Sequence, residues 1–260
     1  MPLQDLGGLR VFRFESLSSP GLVHAIFTRR GGVSPAPWSS LNLGAMVGDE
    51  PARVVDNRRL ALQAIGRAPE SVFDVWQVHS AEVILAEAPR GDAPPQKADA
   101  IVTDRAEVTV MMRFADCVPI LLHDPVRPAV GIVHTGWLGT VRQVARQAVR
   151  RMCERFGTHP QDLRIGIGPS IAAHHYPVGP EVVEAFRRSF GTTAESHLSR
   201  EDGGTRLDLW SANAQLLREE GVEHIEISQL CTACDTADWF SHRAEGGRTG
   251  RFGALVALAR

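Results

Sequence analysis

The chain has 260 residues, 43% of them hydrophobic and 22% charged, a composition that fits a folded protein able to bury a large core as one large domain or two small ones. A net charge of −2 and a pI near 6.6 argue against a nucleic-acid footprint, which is usually strongly basic. No apolar run reaches membrane-spanning length, and Met1 to Leu17 carries Asp5, Arg10, Arg13 and Glu15 where a secretion signal needs an apolar core. Four cysteines are too few for a disulfide framework at this size, so the cytoplasm is the expected compartment.

In chain order, Leu9–Phe14 and Val23–Thr28 read as strands around a Ser18-Ser19-Pro20-Gly21 turn. A long loop follows from Arg29-Arg30-Gly31-Gly32 to Asn42-Leu43-Gly44. Loops of that length inside compact domains are usually functional or mobile. Pro51–Ile65 is predicted helical, with Asp49 near its start and Val54, Val55, Ala61, Leu62 and Ile65 facing inward. Val72–Val78 is a predicted strand that runs into His79, and alternation places Gln77 and His79 on one face. Glu82–Glu87 and Ala98–Thr103 are further strands.

Val118–Leu122 and Ala129–Val133 form a predicted hairpin, joined through an Asp-Pro step. A symmetric turn sets Cys117 opposite His134, close enough to share a metal ion or a proton. Beyond His134, Gly136 lies in a loop entering a helix whose N-cap is expected at Thr140. Its apolar stripe runs from Val141 to Phe156, and its first amides are open to an anion. Leu163–Gly168 is a strand, Glu181–Ser189 and Asp208–Glu220 are helices with a Gly/Ser/Thr-rich surface segment between them, and Val222–Ile227 and Phe252–Leu258 are the last strands. Cys231-Thr232-Ala233-Cys234 has the spacing of half a zinc ribbon or of a redox motif, but no second such pair exists to complete four ligands and no βαβ pattern surrounds it. Arg243, Arg248 and Arg251 crowd a Gly-rich loop, a pattern suited to an anion clamp.

Two histidines and a cysteine at the ends of apolar strands make an open zinc site if they converge: three protein ligands and one free position. Cys117 would bind as thiolate, with Asp116 expected to orient the imidazoles. Without a metal, the same atoms make Cys117 a nucleophile and His134 its base. Copper is less well suited: a multicopper oxidase needs many paired histidines, and no His-Xaa-His occurs among the ten present.

Seven short motifs in order carry a family resemblance. They are Gly31-Gly32-Val33-Ser34, Ser40-Leu41-Asn42-Leu43, Gln77-Val78-His79, Ala115-Asp116-Cys117-Val118-Pro119, His134-Thr135-Gly136-Trp137, Gly168-Pro169-Ser170-Ile171 with Tyr176 and Val178, and Thr249-Gly250-Arg251. The chain resembles the bacterial purine nucleoside phosphorylases once called polyphenol oxidases or laccase domain proteins, also described as peptidoglycan editing factors. The resemblance implies a single α/β (α+β) domain over 1–260 with a mixed sheet flanked by helices, similar to cysteine hydrolases. It implies zinc on His79, Cys117 and His134. It also implies phosphorolysis of adenosine, inosine, guanosine and methylthioadenosine, with purine nucleosides and inorganic phosphate as ligands and adenosine deamination as a second activity. On that expectation, Arg243 with Ser241 beside it, Arg29 and the Gly136 loop take phosphate, while Asn42 and Gln77 take base or ribose. Thr135 and Leu138 stand where many relatives have Ala and Arg, and Ser241-His242-Arg243-Ala244 where an aromatic and a second Arg are usual. These departures touch the anion contacts more than the metal. A cysteine-dependent hydrolase acting on cell-wall precursors is the alternative activity, and a binding protein without catalysis is a third reading.

Overall fold

The period-2 apolar runs build two six-stranded sheets, seen in a computed structural model that describes residues 3–201 and 203–259. In chain order the strands are β1 (Leu3–Leu6), β2 (Leu9–Phe12), β3 (Leu22–Phe27), β4 (Val72–Asp74), β5 (Val83–Leu85), β6 (Ala100–Thr103), β7 (Thr109–Phe114) and β8 (Val118–Asp124). They continue with β9 (Ala129–Thr135), β10 (Arg164–Ile167), β11 (Pro177–Val178), β12 (Leu198–Glu201), β13 (Gly204–Leu207), β14 (His224–Ile227) and β15 (Phe252–Leu258). The helices are α1 (Pro51–Ala64), α2 (Trp137–Val141), α3 (Val144–Phe156), α4 (Pro180–Phe190) and α5 (Leu209–Glu219).

One sheet has the order β1-β2-β3-β15-β7-β4 and the other β14-β10-β8-β9-β6-β5, while β11-β13-β12 form a small third sheet. Both large sheets are mixed: β4 with β7, β5 with β6 and β10 with β14 run parallel, and the remaining pairs are antiparallel.

Alternation along each strand explains how the layers stack. Val110, Met112, Phe114, Ala254 and Val256 of the first sheet share a core with Ile101, Leu121, Val130 and Ile132 of the second. The intervening residues point the other way. Met111 and Leu255 pack with Ala61 and Leu62 of α1. Ala100, Val102, Val118, Ile120, Leu122 and Val133 pack with α3, α4 and α5. The result is a helix–sheet–sheet–helix stack, a mixed α/β architecture in which a strand residue's parity decides its core.

Several boundaries differ from expectation for local reasons. Val55 is exposed, because the buried stripe of α1 runs through Val54, Asn57, Ala61 and Leu62. Thr140 does not cap a helix: its hydroxyl bonds back to the Gly136 carbonyl at 2.9 Å, Gly136 is the cap of the short α2, and the chain breaks at Gln143 (φ +61°) before α3 begins. The strand expected over Val72–Val78 stops at Asp74. The Gly/Ser/Thr-rich segment before α5 contains a hairpin, β12–β13, that short polar strands do not announce.

Candidate active site

The β8–β9 hairpin has a four-residue loop in which Asp124 pairs with Ala129 and Asp124 Oδ1 accepts the amides of Val126 and Arg127. The register is therefore shifted by two residues from the symmetric one. Pro119, not Cys117, lies opposite His134. Cys117 sits just before β8 and meets Gly136, where an added Cβ would come within 2.8 Å of Cys117 Sγ, so only glycine admits the thiol here. The two side chains still converge, now diagonally.

His79 arrives from a different direction. It has φ +57° in a loop beyond β4, so the strand alternation that paired it with Gln77 does not apply. Its Nε2 lies 3.9 Å from Cys117 Sγ, and its ring is edge-on to His134 with centroids 5.0 Å apart. One donor atom from each of His79, Cys117 and His134 falls within 4.8 Å of the others. Zinc–nitrogen and zinc–sulfur bonds at a tetrahedral angle separate N from S by about 3.5 Å. The donor set thus fits a metal ion, with one side open to a cavity of about 680 Å³.

Asp99 organises both histidines, and sequence reasoning missed it. Fully buried ahead of β6, it accepts from His134 Nδ1 at 2.8 Å through Oδ1, leaving Nε2 for the site. Its Oδ2 accepts the amides of Val78 and Ser80 and the Ser80 hydroxyl, at 3.2, 2.6 and 2.8 Å, and so shapes the turn that carries His79. Burial alone would raise the Asp99 pKa, but its bond to His134 and those from Ser80 hold it down at about 2. Asp116, expected in this orienting role, instead accepts from Thr232 Oγ1 at 2.7 Å and from the Arg243 amide at 2.6 Å. It sits in the left-handed region (φ +81°) and anchors the C-terminal segment to the entrance of β8. Two non-glycine residues with positive φ beside one donor set are backbone strain concentrated at a site.

Cys117 and His134 titrate together. Burial opposes charge on both, yet the adjacent imidazole pulls the thiol down to about 6, and the thiolate with Asp99 raises the imidazole to about 9. Between those values the pair is a thiolate and an imidazolium.

The cavity wall is rich in arginine. Asp74 is faced by Arg113 at 2.6 Å, Arg90 at 2.7 Å and Arg58 at 3.6 Å, so three cations share one carboxylate. Burial and repulsion from Arg113 pull the Arg58 guanidinium down to about 10. Arg243 and Arg251 line the same cavity, as do Trp76, Tyr176 and His242. None of Arg58, Arg90 and Arg113 stands out in the sequence, because each lies on a different element.

Among the expected ligand contacts, Gln77 and Arg243 line the cavity, and Gly136 backs the thiol. The Gln77 amide is paired with the Arg113 backbone at 3.0 and 2.7 Å. Asn42, Arg29 and Ser241 are placed elsewhere. Asn42 is fully buried and its amide is spent on Gly44, Asp49 and the Arg251 amide. Arg29 spans Ser39, Thr236 and Glu245 and stacks on Phe240, tying the early loop to the C-terminal segment. Ser241 is buried and caps the turn through the Ala244 amide. These three shape the wall from behind.

Residues 23–259 match the family model described as multi-copper polyphenol oxidoreductase laccase. The chain belongs to this laccase-like family. The chain is 37% identical over 253 residues to a Deinococcus radiodurans protein named purine nucleoside phosphorylase, covering 97% of this chain and 94% of that one. It is 33% identical over 240 residues to the Bacillus subtilis purine nucleoside phosphorylase YlmD, covering 89% and 86%. The crystal structure of YlmD from Geobacillus stearothermophilus superimposes with a TM-score of 0.93 at 32% identity, covering 100% of this chain and 99% of that one. A Bacillus licheniformis protein, YfiH, gives 0.90 at 31% identity with 99% of each chain covered. No His-Xaa-His pair is present in the sequence. Among the described residues, no helix is long and apolar enough to cross a membrane.

Proposed function

We propose that this laccase-like protein is a purine nucleoside phosphorylase, folded as one domain over residues 1–260, that binds zinc on His79, Cys117 and His134. The single observation that carries the reading is that this donor set opens into the same cavity as the arginine wall. Zinc held there would supply a Lewis acid able to polarise a bound phosphate or ribose oxygen in phosphorolysis, and would acidify water, chemistry suited to adenosine deamination. Adenosine, inosine, guanosine and methylthioadenosine are the proposed substrates, and the cytoplasm is the proposed compartment.

In phosphorolysis a phosphate oxygen bonds to the anomeric carbon while the glycosidic bond breaks, and the departing purine takes the electron pair and a proton. Phosphate entering the cavity meets Arg58, Arg90 and Arg113, whose excess positive charge Asp74 alone does not balance; Arg243 extends that surface. Trp76, about half exposed on the wall, offers a face for the base. His242, the cavity imidazole outside the donor set, is the proposed proton donor. The reading is tested by incubating the purified protein with adenosine, with and without phosphate. Ribose 1-phosphate is expected only with phosphate, and its absence under both conditions would remove the proposal.

The thiolate–imidazolium pair, oriented by Asp99, favours one second reading, a hydrolase with Cys117 as nucleophile acting on cell-wall precursors. Product analysis separates the two, because that reaction needs no phosphate and gives no sugar phosphate.

The same pair sets how zinc uptake depends on pH. Between about 6 and 9 the free pair holds one proton, on His134, and that proton must leave when the metal binds. Affinity then rises with pH, tenfold per unit from this pair. Below about 6 the thiol is protonated too and the dependence steepens, whereas above about 9 it flattens. Calorimetric titration with zinc in buffers of different ionisation enthalpy counts the released protons. An uptake independent of pH from 6.5 to 8.5 would contradict the pair.

A further inference from the structure

The Cys231–Cys234 pair lacked partners in the sequence, and the fold supplies them. The one-turn helix Ala173–His175 lies against the loop that follows β14, and the two segments are stitched by backbone bonds from Ser170 N to Leu230 O and from Thr232 N to Ser170 O, each 3.1 Å. That alignment brings His174 Nε2 to 3.0 Å from Cys234 Sγ. It also places His175 Nδ1 3.5 Å from both Cys231 Sγ and Cys234 Sγ. Donor atoms from all four residues lie within 4.8 Å of one another.

We infer that His174, His175, Cys231 and Cys234 form a second metal site, a closed two-histidine, two-cysteine centre for zinc that is separate from the cavity donor set. Zinc bonds of about 2.0–2.1 Å to nitrogen and 2.3 Å to sulfur at tetrahedral angles require N···S separations of about 3.5 Å, which two of the three measured pairs match. The Ala172 amide points at Cys231 Sγ at 3.4 Å, the N–H···S contact that supports a thiolate ligand. Four protein ligands leave no open position, so the role is structural. The site would rivet two segments that lie behind one wall of the cavity. Tyr176 follows His175 directly, Arg243 lies over its ring at 5.0 Å, and Thr232, between the two cysteines, bonds to Asp116 beside Cys117.

The test is zinc content after reconstitution under reducing conditions and dialysis, measured on the full chain. Wild type is expected to hold two zinc ions, Cys117→Ala one, Cys231→Ser/Cys234→Ser one, and the combination none. His174→Gln, a change at an exposed residue, should weaken the second ion without disturbing the core, which covers the case in which the cysteine variant fails to fold. In the Cys117→Ala background the exposed thiol of Cys234 should resist alkylation when zinc is bound and react after chelation. Cobalt in that background should give a tetrahedral spectrum with sulfur charge transfer. The inference is overturned if Cys117→Ala retains no zinc, or if Cys234 alkylates equally fast with and without the metal. Neither result bears on phosphorolysis, which is read from ribose 1-phosphate.

Discussion

Cys117→Ala is expected to abolish phosphorolysis and deamination together, by about a thousandfold or more, equivalent to about 4 kcal/mol of transition-state stabilisation. The thiol is shared by everything the cavity donor set can do. It is the sulfur donor between His79 and His134, and its charge raises the His134 pKa to about 9. Removing it leaves two imidazoles, too few to hold zinc firmly against dialysis. The fold should survive, because Cys117 lies at the edge of the core shared by the two sheets and not among its fully buried residues. Rates with adenosine in the presence and absence of phosphate, together with zinc content, check the outcome. Full phosphorolysis with deamination lost would mean that the two reactions do not share this site.

Loss of Asp99 should be costly in stability. It is fully buried and accepts four hydrogen bonds, from His134, the Val78 and Ser80 amides and the Ser80 hydroxyl. Asp99→Ala strands all four donors and should destabilise the protein by about 3–5 kcal/mol, the range for breaking a buried charged network from one side. Asp99→Asn keeps the volume and isolates the chemistry. An amide has one acceptor oxygen, so either its NH2 group faces the three donors of the His79 turn or it faces His134 Nδ1. In the second arrangement the imidazole carries its proton on Nε2 and loses the lone pair needed for a metal. Either way zinc affinity at the cavity site should fall about 10–100-fold, with a smaller loss in melting temperature than for alanine. Urea unfolding and zinc titration measure both quantities. Wild-type zinc affinity in Asp99→Asn would show that His134 needs no orienting carboxylate.

Local pattern carried much of the fold. Phe252–Leu258 is a strand at the predicted limits, and Val144, Ala145, Ala148, Val149 and Met152 of α3 are buried on the stripe where periodicity placed them. Such signals are legible because a strand residue's face and a helix residue's stripe follow from repeats of 2.0 and 3.6 along the chain itself. The hairpin register was not, because its loop length depended on how Asp124 bonds the amides of Val126 and Arg127. Gly136 reads in the sequence as part of an anion loop, and only the fold shows that its small size also admits the thiol.

By itself, then, the amino-acid order marked most of the longer strands and helices and named His79, Cys117 and His134 as candidate ligands. Only the tertiary structure decided what surrounds them. β15 inserts between β3 and β7, and β6 pairs beside β9, bringing Asp99 under His134 from 35 residues away. The same long-range closure gathers Arg58, Arg90 and Arg113 on Asp74, and His174 and His175 on the Cys231–Cys234 pair. Periodicity fixes which way a side chain points, but its partner across the sheet is set by non-local pairing, and no short window of sequence contains that information.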